Sequence, residues 1–189
     1  VITRNSIDYV AAAEFWAFKK PVSHQPPKVK QSEWVKNDVD RFVLAQLEEN
    51  LMQPGATADK RTLIRRAYYD LIGLPPTPEQ IQAFLSDDSI GAFSKVVDEL
   101  LASEHYGERW GRYWLDVARY GEDQAHTFKA RKYPQGYLYR DWVVRAFNDD
   151  MPYDMFVKYQ VAGDLVEDEN QHERLAALGL FALGPVYYA

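Results

Sequence analysis

The stretch GLPPTPEQ, residues 73–80, decides how the rest of the chain is read. Gly73 is suited to end a helix in a left-handed conformation, and Pro75-Pro76 prevents that helix from continuing. Thr77 then caps a new helix, Pro78 takes its first position, and Gln80 completes the spacing of a capping box. One helix stops and another starts, with no room for a strand between them.

Working upstream, Leu63, Ile64, Ala67 and Leu71 recur at helical spacing after a start at Thr57 or Asp59. QPGAT (53–57) separates that helix from an earlier one. The earlier helix is capped by Asn37, carries Asp38 and Asp40 in its first turn, places Val39, Phe42, Val43 and Leu47 on its apolar side, and runs to about Asn50. KKPVSHQPPKVKQSEW (19–34) has three prolines and no apolar period, so it reads as an extended connector. A short helix within residues 4–19, capped by Asn5 or Ser6, precedes it.

Working downstream, the helix begun at Thr77 runs to about Leu85. The next spans Gly91 to Ala102, with Phe93, Val96, Val97, Leu100 and Leu101 as its buried face. Further helices are expected at Tyr137–Phe147, Tyr153–Ala162 and Gln171–Leu183. Strand-type alternation is nearly absent. The fold expected is mainly α, a compact bundle of about seven or eight helices. It divides into an N-terminal helix and proline-rich connector (1–36) and a helical domain (37–189). The segments VITRN and LGPVYYA read as ends cut from a longer chain.

Composition narrows the function classes. A net charge of −6 argues against general nucleic-acid binding, which needs a basic surface. The chain has no cysteine, so these residues hold no disulfide, zinc–thiolate cluster, thiol nucleophile or covalently attached c-type haem. No apolar run approaches the ~20 residues of a membrane span. No GxSxG elbow, phosphate loop or GxGxxG is present.

The chemistry-bearing stretch is HYGERWGRYWLDVARYGEDQAH, residues 105–126. On a helix, Tyr106, Trp110, Tyr113, Trp114, Val117 and Tyr120 form one stripe, expected to be core. Beside it His105, Arg109, Arg112, Asp116 and Arg119 line up, with Arg112–Asp116 and Asp116–Arg119 at ion-pair spacing. The simple reading is a ladder of ion pairs; the functional one is a set of arginine forks holding a loop or an acidic ligand, with Arg stacked on Trp. His105, Arg109, Arg112, Arg119, Trp110 and Trp114 are therefore the ligand-binding candidates. Gly121 is expected to end the helix, leaving Glu122 to His126 in a loop. Asp116, Glu122 and Asp123 are the catalytic candidates, and Asp123 with His126 the metal candidates, although no HExxH or EF-hand spacing occurs. Non-covalent haem on His105 or His126 is the weakest alternative.

Five blocks then occur in order: FWAFKKPV, NDVDRFVLAQLEENLMQP, RTLIRRAYYDLIGLPPTPEQIQAFL, LLASEHYGERWGRYWLDVARYGE and YRDWVVRAFNDDMPYDMFVKYQVAGDL. Together they resemble the planctomycete cytochrome-associated domain, domain of unknown function 1549, from Phe15 to Leu165. The resemblance implies a module of a larger exported protein, periplasmic or extracellular. Any c-type haem would lie in a separate domain, with no cofactor within this chain. Partners implied are other domains of the same polypeptide and extracellular polysaccharide. No catalytic residue comes with the family. After VARYGED the family pattern leads one to expect a polar run with Asn-Gly, and this chain has QAHTFKARKYPQGY instead; its tail GLFALGPVYYA also departs from the usual polar continuation. The expected function is a helical module that binds a partner domain or polymer. The alternative is a carboxylate- or metal-dependent hydrolase of polysaccharide, which needs two carboxyls ~5 to 9 Å apart across a cleft.

Overall fold

The computed structural model describes residues 8–122, 133–166 and 171–181. Among these there are nine α-helices, three short 3-10 turns and no strand. The helices are those expected: the short α1 (Tyr9–Ala13) within 4–19, then α2 (Asp38–Glu49), α3 (Lys60–Leu71), α4 (Pro78–Ser86), α5 (Ala92–Leu101), α6 (Glu104–Val117), α7 (Gly136–Asn148), α8 (Tyr153–Ala162) and α9 (Gln171–Ala177). None of them is long and apolar enough to cross a membrane. The chain divides into two units, Val1–Thr57 and Ala58–Ala189.

In the first unit, the cap of α1 is Asp8, whose carboxylate accepts from the Val10 and Ala11 N–H groups; Asn5 and Ser6 lie outside the described residues. Residues 20–29 have no regular structure. Their end is tied down where the Glu48 carboxylate of α2 accepts the Lys30 N–H at 2.8 Å and the Gln31 N–H at 3.1 Å. Asn37 and Asp40 form a reciprocal capping box at the start of α2. That helix buries Leu44 and leaves Val39, Phe42 and Val43 exposed, so the inward side is not the one their spacing suggested.

In the second unit, the opening stretch behaves as expected. Gly73 adopts φ +74°, and its N–H closes back on Tyr68 O at 3.1 Å. Thr77 Oγ1 accepts the Gln80 N–H at 3.2 Å while Gln80 Oε1 accepts the Thr77 N–H at 2.8 Å. Asp59, not Thr57, caps α3, accepting the Thr62 N–H at 2.9 Å. Helices α3, α4 and α5 share a core of Ile64, Ala67, Tyr68, Phe84, Ala92 and Leu100. Of the face expected for α5, Leu100 is buried and Val96 partly so, while Phe93 and Leu101 stay exposed.

A second core joins α7, α8 and α9 through Tyr139, Trp142, Val143, Ala146, Phe156 and Ala177, with Trp114 and Leu115 of α6 packed on it. Trp142 and Phe156 stack with ring centroids 5.1 Å apart, and Trp114 meets Phe156 edge-on at 4.8 Å. The expected helix at 171–183 is α9 followed by a 3-10 turn, Leu178–Phe181.

The expectation for α6 is overturned in one respect. The most buried positions of this helix are Gly107 and Gly111, while Trp110, Tyr113 and Val117 are 36%, 47% and 73% exposed. The physical reason is the close approach of α7. A Cβ on Gly107 would lie 2.3 Å from Val144 O, and one on Gly111 would lie 3.4 Å from Val143 Cγ1. Two glycines four apart let the backbones draw together, and that contact turns Trp110, Tyr113 and Val117 away from the core while Trp114 and Tyr120 of the same stripe still pack on it.

Candidate functional site

Helix α6 starts at Ser103, whose hydroxyl accepts the His105 N–H at 3.3 Å. The Asn148 side chain of α7 clamps its first turn: Oδ1 accepts the Gly107 N–H at 2.7 Å and Nδ2 donates to Glu104 O at 3.1 Å. The helix ends at Val117, four residues before Gly121. Arg119 takes φ +55°, with its N–H on Asp116 O at 3.1 Å and the Tyr120 N–H on Leu115 O at 2.9 Å. This is a Schellman closure with arginine where glycine is usual. It removes Arg119 from the expected ladder. Among the described residues neither the Arg112–Asp116 nor the Asp116–Arg119 ion pair forms.

The remaining candidates divide among different neighbours. His105 Nδ1 lies 2.7 Å from Glu108 Oε2 on the surface. The half-buried Arg109 packs its aliphatic stem against Gly73, where an added Cβ would stand 2.8 Å from Arg109 Cδ. Its guanidinium carbon sits 5.0 Å from the Tyr113 ring centroid, so the cation stacks on a tyrosine rather than a tryptophan. Its buried Nε has no hydrogen-bond partner. Tyr106, Trp110 and Tyr113 make an aromatic ladder with centroid spacings of 6.2 and 5.6 Å. Trp114 faces the other way. Its indole Nε1 donates to Gln160 Oε1 at 2.9 Å and Tyr139 OH at 3.1 Å, and Tyr139 OH donates to the same Gln160 oxygen at 2.7 Å. This buried triad joins α6, α7 and α8.

The carboxylates are also apart. Asp116 is exposed in the last turn of α6. Glu122 Oε1 accepts from Tyr120 OH and from an Arg140 terminal nitrogen, each at 2.7 Å. Arg140 Nε turns to Asp141 Oδ1 at 3.0 Å, so the guanidinium forks between two acids. Burial, reinforced by the Glu122 hydrogen bond, pushes the Tyr120 hydroxyl well above its ordinary 10. Burial opposes the Arg140 charge, but the hydrogen bond and charges of Asp141 and Glu122 outweigh it and raise its pKa. Asp123 and His126 lie outside the described residues. Among the described residues no three His, Asp or Glu side chains converge on a metal-sized point.

Glu108, Arg112, Arg140, Asp141 and Arg145 line an open groove of ≈ 660 Å³ between α6 and α7. The structure thus adds Tyr120, Arg140, Asp141, Tyr139 and Gln160 to the polar framework. Sequence spacing does not bring these together, because Glu122 meets Arg140 across 18 residues and Trp114 meets Gln160 across 46. The one local signal was the adjacent Arg140 and Asp141 in YRDW.

No curated protein and no solved structure matches the chain. Residues 38–187 match the family described as "Protein of unknown function (DUF1549)", the aromatic helix α6 and its α7 partner included, and the chain belongs to that family.

Proposed function

We propose that this chain is a non-catalytic recognition module of a larger exported, cytochrome-associated protein. It docks another domain of that polypeptide through one face of α6. The observation that carries the reading is the aromatic ladder Tyr106–Trp110–Tyr113, extended by Val117 and flanked by Arg109. A helix that has already buried its glycine face has no folding reason to present this row to solvent. Tryptophan, tyrosine and arginine are the residues on which interface energy concentrates. Val117 argues for a protein partner over a polysaccharide, because its methyl groups offer neither a stacking face nor a hydrogen bond.

The hydrolase alternative rests on Asp116 with Glu122 or Asp123. Against it stands the engagement of Glu122 by both Tyr120 and Arg140, which suits a clamp better than a free base. The test is calorimetric titration of this chain with the remainder of the full-length polypeptide. A central tryptophan in an interface contributes about 2 kcal/mol or more, so Trp110→Ala should weaken binding roughly thirtyfold. Unchanged affinity in a folded Trp110→Ala variant, or retardation in a polysaccharide gel that depends on Trp110, would overturn the reading.

A further inference from the structure

On another side of α6 lies a smaller cavity of ≈ 230 Å³, between α7 and the start of α8. Its walls include Tyr106, Trp114, Phe147, Tyr153 and Phe156, and its only charged lining residue is Asp150. Asp150 occupies the last-turn closure of α7 in the left-handed region, φ +47°, where its own N–H bonds Phe147 O at 3.3 Å and the Met151 N–H bonds Ala146 O at 2.9 Å. The backbone therefore fixes where this carboxylate emerges. Among the described residues the Asp150 carboxylate has no ion pair or hydrogen bond.

The surrounding sequence keeps one sign. From Ala146 to Val157 the chain carries Asp149, Asp150 and Asp154 and no lysine or arginine. The larger groove on α6 carries both signs; this cavity carries only the negative one. Aromatic walls around a space with one unpaired carboxylate are the chemistry that selects an organic cation. The ring quadrupoles attract the charge, the apolar surfaces hold its alkyl groups, and the carboxylate supplies the counter-charge. A hydrated metal ion is disfavoured, because a single carboxylate offers too few oxygen ligands.

We propose that this cavity binds an alkylammonium group, the head of a methylated lysine side chain or of a free quaternary amine. The cavity shares Tyr106 with the docking face, but Trp110 and Tyr113 take no part in it, so the two readings fail separately. The test is a chemical-shift titration of the protein's indole N–H signals at constant ionic strength. The probes are tetramethylammonium chloride and a peptide containing trimethyl-lysine, and tert-butanol serves as the neutral control. Saturable shifts with either cation and none with the alcohol are expected; the stronger binder identifies the source. Tyr153 is 72% exposed, so Tyr153→Ala leaves the fold intact and should weaken binding roughly two- to fivefold. Asp150→Asn should weaken it by a similar factor, roughly two- to fivefold, and Trp110→Ala should leave it unchanged. Equal response to tert-butanol, no saturable shift with either cation, or insensitivity to both Tyr153→Ala and Asp150→Asn would overturn it.

Discussion

Gly107 and Gly111 lie on the same face of α6, yet the structure requires that alanine act oppositely at the two. At Gly107 an added Cβ falls 2.3 Å from the Val144 carbonyl oxygen and 2.6 Å from Asn148 Oδ1. Even the weak carbon–oxygen contacts of packed helices hold the atoms ~3.3 Å apart, so the helices must separate by roughly 1 Å. Val144 O belongs to the backbone of α7, which is held by the buried Trp142, Val143 and Ala146, so it cannot yield alone. Separation would stretch the 2.7 Å bond from the Gly107 N–H to Asn148 and loosen Trp114 and Leu115 over the core. Overpacking costs about 1–3 kcal/mol and the unmet amide about 1–3 kcal/mol. Replacing a helical glycine by alanine returns about 1 kcal/mol. Gly107→Ala should therefore lose about 1–5 kcal/mol.

At Gly111 the nearest atom is a side-chain methyl at 3.4 Å, an ordinary contact, so the propensity gain stands nearly alone. Gly111→Ala should be neutral or stabilising by up to about 1 kcal/mol. Urea unfolding followed by circular dichroism separates the two. With an m-value of about 2 kcal/mol/M, the Gly107→Ala midpoint should fall by about 0.5–2.5 M while that of Gly111→Ala holds or rises. A Gly107→Ala protein within about 0.5 kcal/mol of the parent, the range of ordinary surface changes, would mean that α6 and α7 do not cross there.

Two further outcomes follow from the helix ends and the loops. Arg119→Gly should raise the melting point, since a left-handed arginine costs about 1–2 kcal/mol and glycine forfeits roughly half of that through its freer unfolded chain; a lowered melting point would show that the Arg119 side chain makes a stabilising contact. Asp87 is held well below its ordinary 3.8 by the Ser89 hydroxyl, the Ser89 backbone N–H and Lys95. A depressed carboxyl stabilises the fold at every pH above 3.8, and that contribution disappears as pH falls toward the folded-state value. Urea midpoints measured from about pH 5 down to pH 2 should therefore drop less steeply in Asp87→Asn than in the parent, and parallel curves would refute the assignment.

The helix boundaries were legible because caps are local. Asn37, Asp59, Thr77 with Pro78, and Gly73 each act on backbone groups within a few residues, so their chemistry can be read in line. The end of α6 was misread for the same reason. Gly121 was available as a stop, but the chain closed at Arg119, because a Schellman hydrogen-bond pair tolerates a non-glycine residue when the following segment is held elsewhere. Here Tyr120 and Glu122 are held by each other and by Arg140. Periodicity identified the aromatic stripe of α6 but not its split, with Trp114 and Tyr120 on the core and Trp110, Tyr113 and Val117 exposed. Large apolar side chains and small glycines compete for the same contact, and close backbone approach favours the glycines. The triad of Trp114, Tyr139 and Gln160 was illegible because it depends on three helices meeting.

The stretch from His105 to His126 raised the choice between a catalytic constellation and a well-made helix, and the structure describes it as far as Glu122. A constellation requires convergence, with several functional groups aimed at one volume that a reacting atom can enter. In α6 the groups diverge. Arg109 supports the turn at Gly73, Trp114 anchors α7 and α8, His105 pairs with Glu108, and beyond the helix Glu122 is taken by Arg140. Each of those ties fixes the backbone of α6 more firmly while withdrawing a group from chemistry. Besides Arg112 and Asp116, what such a helix presents to solvent is the row Trp110, Tyr113 and Val117, and rigidity is what makes such a row useful for binding. Side chains already ordered by their neighbours lose less entropy when a partner covers them, so the same contacts yield a tighter complex.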